Sequence, residues 1–147
     1  PEPQLQLVSL NDRVAACKMF METVCRNRNI TLHLTLCDEN PHVRMDTSLF
    51  EQVLVNIIKN AAESIGEEGN IFIRTSVFPT MLEIADTGAG ISKEVEAKLF
   101  SPFFSTKPNG QGIGLIFIRE VLMKHGCTFS LRTYSDGLTR FRIRFSA

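Results

Sequence analysis

The sequence predicts an α/β two-layer sandwich: a mixed, largely antiparallel sheet with about three helices packed on one face. Three features point there. Residues 46–65 repeat their apolar side chains with helical period. Segments 71–77 with 81–85, and 128–133 with 138–145, alternate like strands and are joined by short turns, around Pro79 and at Ser135-Asp136-Gly137. The order of segments also lacks the regular strand–helix alternation of a doubly wound sheet.

Taken in order, Ser9 precedes the first helical pattern, with Asp12 three residues on as a weak capping box. Val14, Cys17, Met21, Val24 and Cys25 carry that pattern to about Asn27 as one helix. Ile30, Leu32, Leu34 and Leu36 alternate with polar residues in a half-buried strand, which puts His33 on the solvent side. After a turn at Asn40-Pro41, a long helix starts between Asp46 and Ser48. It buries Phe50, Val53, Leu54, Ile57, Ile58, Ala61 and Ile65, and stops at Gly66. The two hairpin strands follow, then a short charged helix between Ser92 and Phe100. Residues 100–114, rich in Pro, Gly, Ser and Thr, read as a long functional loop. A helix over 115–124 ends at Gly126. In the last strand Arg140, Arg142 and Arg144 alternate with Phe141, Ile143 and Phe145, so the arginines are expected on a solvated face.

Composition narrows the function. The 147 residues suit one domain with a real core, 44% apolar and 22% charged. Sixteen basic residues balance sixteen acidic ones, so no net field draws in nucleic acid or an anionic membrane. No apolar run approaches the roughly 20 residues of a membrane span, and the start does not resemble a signal peptide. Cys17, Cys25, Cys37 and Cys127 lack C-x-x-C spacing, and reduced, mostly buried thiols fit a cytoplasmic protein.

Two stretches carry chemistry. On the long helix, Asn56 and Asn60 lie one turn apart, with Gln52 and Glu63 on the same stripe. Asparagine is a mediocre helix former, so the pair marks either an exposed polar face or a cation and phosphate site, where amide oxygens suit magnesium. The second stretch is Asp86-Thr87-Gly88-Ala89-Gly90-Ile91, which leaves a strand through an acid followed by glycines one residue apart. It could be a structural turn, a phosphate cradle or a base-binding loop.

"LFEQVLVNIIKNAAESI" resembles the asparagine box of sensor histidine kinases, members of the ATPase superfamily shared with gyrase, Hsp90 and MutL. "DTGAGI" is similar to that family's first glycine box, "LFSPFFSTK" to its phenylalanine box, "GQGIGL" to its second glycine box, and "DGLTRFRI" to its closing strand. The lead-in "HVRMDTSLFEQ" also fits. These motifs occur in the family's order over most of the chain.

The resemblance implies a Bergerat-type fold holding ATP under a mobile lid at about 100–114. It implies that Asn60 coordinates Mg2+, that Asn56 sits beside the phosphates, and that Glu63 completes the polar cluster. Asp86 would accept the adenine amino group, a task suited to an acceptor-only carboxylate. Gly88 and Gly90 would let the backbone approach the base beside Ile91, and Thr139 would assist Asp86. Thr106, Lys107, Gly110, Gly112, Ile113, Gly114 and Leu115 would surround the phosphates, with Lys107 and Asn56 closest to the transfer chemistry.

The implied reaction moves the γ-phosphate of ATP to a histidine on a separate dimerising hairpin, for passage to a response-regulator receiver. His33, His42 and His125 have no phosphoacceptor context, and no hairpin precedes Ser9. The chain is therefore expected to be one catalytic and ATP-binding domain, 1–147, monomeric by itself, from a longer homodimeric kinase that could be anchored in the inner membrane. Glu63 stands where many members have Lys, and Ile116-Phe117-Ile118 where small residues are common. Within the superfamily, an anti-sigma-factor serine kinase is the alternative. More distant is an S-adenosylmethionine-dependent methyltransferase, which requires a parallel doubly wound sheet. Neither a dinucleotide-binding G-x-G-x-x-G nor a P-loop is present.

Overall fold

In the computed structural model, residues 2–100 and 113–146 are described. The chain opens with β1 (Gln6–Ser9), then α1 (Leu10–Ala16) and α2 (Lys18–Asn27). The single helix expected over this stretch is thus two. At Cys17 (φ −93°, ψ 0°) the N–H folds back to the Val14 carbonyl, and the chain changes direction. That break lets Leu10 and Val14 of α1, and Met21 and Cys25 of α2, all reach the core. Ser9 caps α1 as expected, its hydroxyl accepting the Asp12 N–H.

After α2 come β2 (Ile30–Thr35) and β3 (His42–Met45). β3 pairs antiparallel with β1 in a small ribbon that the sequence reading missed, since strands of four residues hardly establish a period. Next is α3 (Thr47–Ile65), capped by the Asp46 carboxylate on the Leu49 N–H and stopped at Gly66, φ +79°. It buries the predicted face and Ala62, while Ile65 is only half-buried.

β4 (Gly69–Ser76), β5 (Met81–Asp86), α4 (Lys93–Glu96), α5 (Ile113–Lys124), β6 (Thr128–Thr133) and β7 (Thr139–Arg144) complete the chain. The main sheet runs β2-β4-β5-β7-β6, with β2 parallel to β4 and the other neighbours antiparallel. This arrangement rules out the methyltransferase reading, which needs a parallel doubly wound sheet. Helices α2, α3 and α5 cover one face, where Ile71, Ile73, Leu82, Ile84, Phe141 and Ile143 are buried. The cysteines are free, as expected, with Cys17, Cys25 and Cys127 buried. Burial raises all three thiols, Cys127 to about 11, so they are inert packing groups.

The opposite face corrects the expectation of freely solvated arginines. Arg74, Glu83 and Arg142 face one another on β4, β5 and β7. The Glu83 side chain is 8% exposed and receives Arg142 Nε at 2.8 Å and an Arg74 nitrogen at 3.2 Å, with Arg140 Nε at 3.6 Å. Tyr134 lies over the guanidiniums of Arg140 and Arg142, and Asp136 binds Arg140. A buried acid needs such partners, and Glu83 is why these arginines are ordered. Glu83→Gln leaves Arg74 and Arg142 without that counter-charge, while Arg140 keeps Asp136. A loss of about 1–2 kcal/mol in urea unfolding is expected, reduced from a fully buried pair by the half-exposed arginines; an unchanged midpoint would refute this account.

Candidate nucleotide site

The helix-facing side of the sheet is apolar until its last row. Leu82, Ile84 and Asp86 alternate inward along β5, so Asp86 occupies the place of a further core residue. Register sets Asp86 opposite Ile71 on one side and Thr139 on the other, with Thr133 opposite Thr139. Asp86 and Thr139 are each 5% exposed.

The Asp86 carboxylate accepts one hydrogen bond from within the loop, the Gly88 N–H on Oδ1 at 2.9 Å. Burial dominates its titration and pushes its pKa up to about 6, against the partial relief of that N–H. Glu83, three residues earlier on β5 and on the opposite face, has three arginines, whereas Asp86 has no basic partner among the described residues.

The two glycines after Asp86 are required for different reasons. A Cβ on Gly88 would stand 2.7 Å from the Ser64 carbonyl carbon and 2.9 Å from Asp86 Oδ1. The loop is pressed onto the end of α3, where the Ala89 N–H donates to the Ser64 carbonyl at 3.3 Å. Gly90 has φ +80°, in the left-handed region, and faces the Thr133 side chain. Ile91 N–H then donates to Thr133 Oγ1 at 2.8 Å.

Ser64 also relates the loop to the predicted polar stripe. Asn60 precedes it by one helical turn, about 6 Å along the axis, and Asn56 lies one turn earlier. Both asparagines are half-buried, which disfavours a merely solvated face, whereas Glu63 is exposed. Asn60 and Glu63 each engage a neighbour. The stripe Asn56–Asn60–Ser64 therefore runs toward the loop that carries Asp86, Gly88, Gly90 and Ile91. On α5, Leu115 packs against the core, and a Cβ added to exposed Gly114 would meet nothing within 4 Å, so packing does not demand glycine there. Thr106, Lys107, Gly110 and Gly112 lie outside the described residues, as does the side chain of Ile113.

Among the described residues, no three His, Cys, Asp or Glu side chains gather to hold a metal. The neutral, hard amide oxygens of Asn56 and Asn60 fit a magnesium ion that takes most of its ligands from phosphate and water. The sequence reading missed Thr133 and Ser64. Thr133 was within reach of it: the turn at Ser135-Asp136-Gly137 implies a register in which Thr133 faces Thr139.

No described helix is long and apolar enough to cross a membrane. Residues 45–147 match the family described as histidine kinase-, DNA gyrase B- and HSP90-like ATPases. The signal transduction histidine-protein kinase AtoS of Escherichia coli (strain K12) is 34% identical over 125 residues, 83% of this chain and 21% of that protein. The C4-dicarboxylate transport sensor protein DctS of Rhodobacter capsulatus is 32% identical over 147 residues, 96% of this chain and 22% of that protein. The chain thus spans about a fifth of the length of these relatives. Among solved structures, the nucleotide-free catalytic domain of the histidine kinase ThkA superposes with a TM-score of 0.86 at 28% identity, covering 97% of this chain and 95% of that one. The motifs, the sheet order and these likenesses agree: the chain belongs to the histidine kinase-, DNA gyrase B- and HSP90-like ATPase family, as a histidine kinase catalytic domain.

Proposed function

We propose that the chain binds Mg-ATP between the end of its sheet and α3, and transfers the γ-phosphate to a histidine on a separate dimerising hairpin of the same kinase. One observation carries the site: a carboxylate buried on an apolar face with no cation beside it among the described residues. Such a group lowers stability unless something donates to it. The adenine amino group is a donor of the right kind, whereas the keto oxygen of guanine would face the carboxylate lone pairs.

In this reading Asp86 and Thr139 hold the base, and Gly88 and Gly90 shape the loop beside it, Gly88 by packing on Ser64 and Gly90 by its positive φ. Asn56 lies along the phosphates, and Asn60 would hold the metal. A bound magnesium ion supplies neutralisation of phosphate charge. By motif resemblance, Thr106, Lys107 and the backbone at Gly110, Gly112 and Gly114 bind the phosphate oxygens, an arrangement favoured by the positive N-terminus of α5. The acceptor imidazole forms the new N–P bond as the bond from Pγ to the bridging oxygen breaks and ADP leaves. Positioning and charge supply most of the catalysis in such a transfer. The relatives are sensor kinases, so the phosphoacceptor is a histidine rather than the serine of anti-sigma-factor kinases, and a response-regulator receiver is the next acceptor. A cytoplasmic site of action suits this chemistry.

Calorimetric titration with ADP tests the site. Binding is expected to need magnesium in the native chain, and Asn60→Ala should weaken it by about tenfold or more while reducing the metal dependence. Asp86→Asn should weaken binding by about 10–100-fold, the worth of a charged hydrogen bond. The same variant should stabilise the ligand-free domain. The folded-state pKa of about 6 lies above the unfolded 3.8, so above pH 6 the ionised carboxylate disfavours folding. Asp86→Asn should therefore gain about 1–3 kcal/mol at pH 8, and this gain should vanish below about pH 4. For binding the sign is opposite: the ionised carboxylate is the stronger acceptor for the amino group, so ADP affinity should fall as pH drops through about 6, by at most about tenfold per unit. A flat profile between pH 5 and 8 would remove Asp86 from the base pocket. Failure of an added hairpin domain to gain label from γ-labelled ATP would count against the transfer.

A further inference from the structure

Thr133 belongs to none of the motifs, yet four elements meet at it. Its side chain shares the inner face with Thr139 and Asp86, forming the row Asp86, Thr139, Thr133 across β5, β7 and β6. Its Oγ1 accepts the Ile91 N–H at 2.8 Å and lies 2.8 Å from Thr139 Oγ1. Its own N–H donates to Glu96 Oε2 of α4 at 3.1 Å. Gly90 closes over it, since a Cβ at that position would stand 3.2 Å from the same hydroxyl oxygen.

A hydroxyl carries one hydrogen and two acceptor lone pairs. With the Ile91 N–H on one lone pair of Thr133, two arrangements of the threonine pair remain. If Thr139 donated to Thr133, the Thr133 hydrogen would be the one left over, and Thr139 would turn only lone pairs toward its neighbour Asp86. If Thr133 donates to Thr139, the leftover hydrogen belongs to Thr139, the direct neighbour of Asp86. An ionised carboxylate in a poorly solvated site attracts a hydroxyl hydrogen and repels its lone pairs. This condition selects the second arrangement, which runs from Ile91 N–H to Thr133 to Thr139.

We infer that Thr133 is a positioning residue for base recognition: it fixes Thr139 as a donor beside Asp86, so that the pair offers one acceptor and one donor to the ligand. Adenine presents the complementary pattern, an amino donor next to the N1 acceptor. Guanine and hypoxanthine present an acceptor next to an N1–H donor, and mismatch both groups. Thr133 thereby couples purine selection to the fold of the glycine loop, without touching the nucleotide. The inference rests on the reading of Asp86 and Thr139 as the base pocket.

The test compares ADP with 1-deaza-ADP, in which N1 is replaced by C–H, by calorimetry on the native chain, Thr133→Val and Thr133→Ser. The native chain is expected to prefer ADP by about fivefold to tenfold, the effect of one neutral hydrogen bond direct or through a water. Thr133→Val should bring that preference close to one, by weakening ADP while leaving 1-deaza-ADP nearly unchanged. Thr133→Ser should restore it. A purely structural role would weaken both ligands equally, and that result would overturn the inference, as would a native chain indifferent to N1. If the valine variant does not fold, Thr133→Ala reads the same ratio; collapse of both would make Thr133 a folding residue and also overturn the inference. Absence of ADP binding by the native chain would instead refute the nucleotide site itself, so the two failures are distinguishable.

Discussion

Asp86 is a carboxylate at the end of an otherwise apolar sheet face, and much of the surrounding structure follows from accommodating it. Water is largely excluded by α3 on one side and by β7 on the other, which raises its pKa to about 6. A single backbone N–H from Gly88 offsets part of that cost. Beyond that one N–H, the carboxylate keeps acceptor capacity available to a ligand. That is physically what a donor-bearing base requires, and a fold selected for stability alone would place an apolar residue there.

The loop after Asp86 is held from two directions. Ser64, at the end of α3, takes the Ala89 N–H and leaves no room for a side chain at residue 88. Thr133, at the end of β6, takes the Ile91 N–H and faces Gly90. The helix bearing the candidate metal ligand and the strand behind the candidate base pocket therefore share one short segment. Displacing either support alters both ends of the site, a coupling that arises because the loop's backbone donors have few alternative partners.

The two faces of the sheet show how context changes the same chemistry. Glu83 and Asp86 lie three residues apart on β5 and point to opposite faces. Glu83 is matched by arginines from the neighbouring strands and ties the outer face together. Asp86 has Ile71 and Thr139 as its cross-strand neighbours instead. One acid serves the fold, and the other is the candidate acceptor for a ligand.

The sequence by itself determined the long helix with its cap and stop, the two hairpins, the fold class and the positions of the recognisable motifs, because those signals are local: a period, a glycine at a helix end, a turn between alternating segments. The break at Cys17 and the ribbon of β1 with β3 were decided by tertiary packing, since the first depends on turning two short helices onto one core and the second on pairing distant four-residue segments. Arg140 and Arg142 of β7 were misjudged for the same reason, their partner Glu83 lying on another strand, whereas Arg144 is exposed as expected. Ser64 entered the site only through the docking of α3 against the glycine loop. Whether a polar residue is bare or satisfied depends on which distant backbone and side-chain groups surround it, and only the folded chain brings those together.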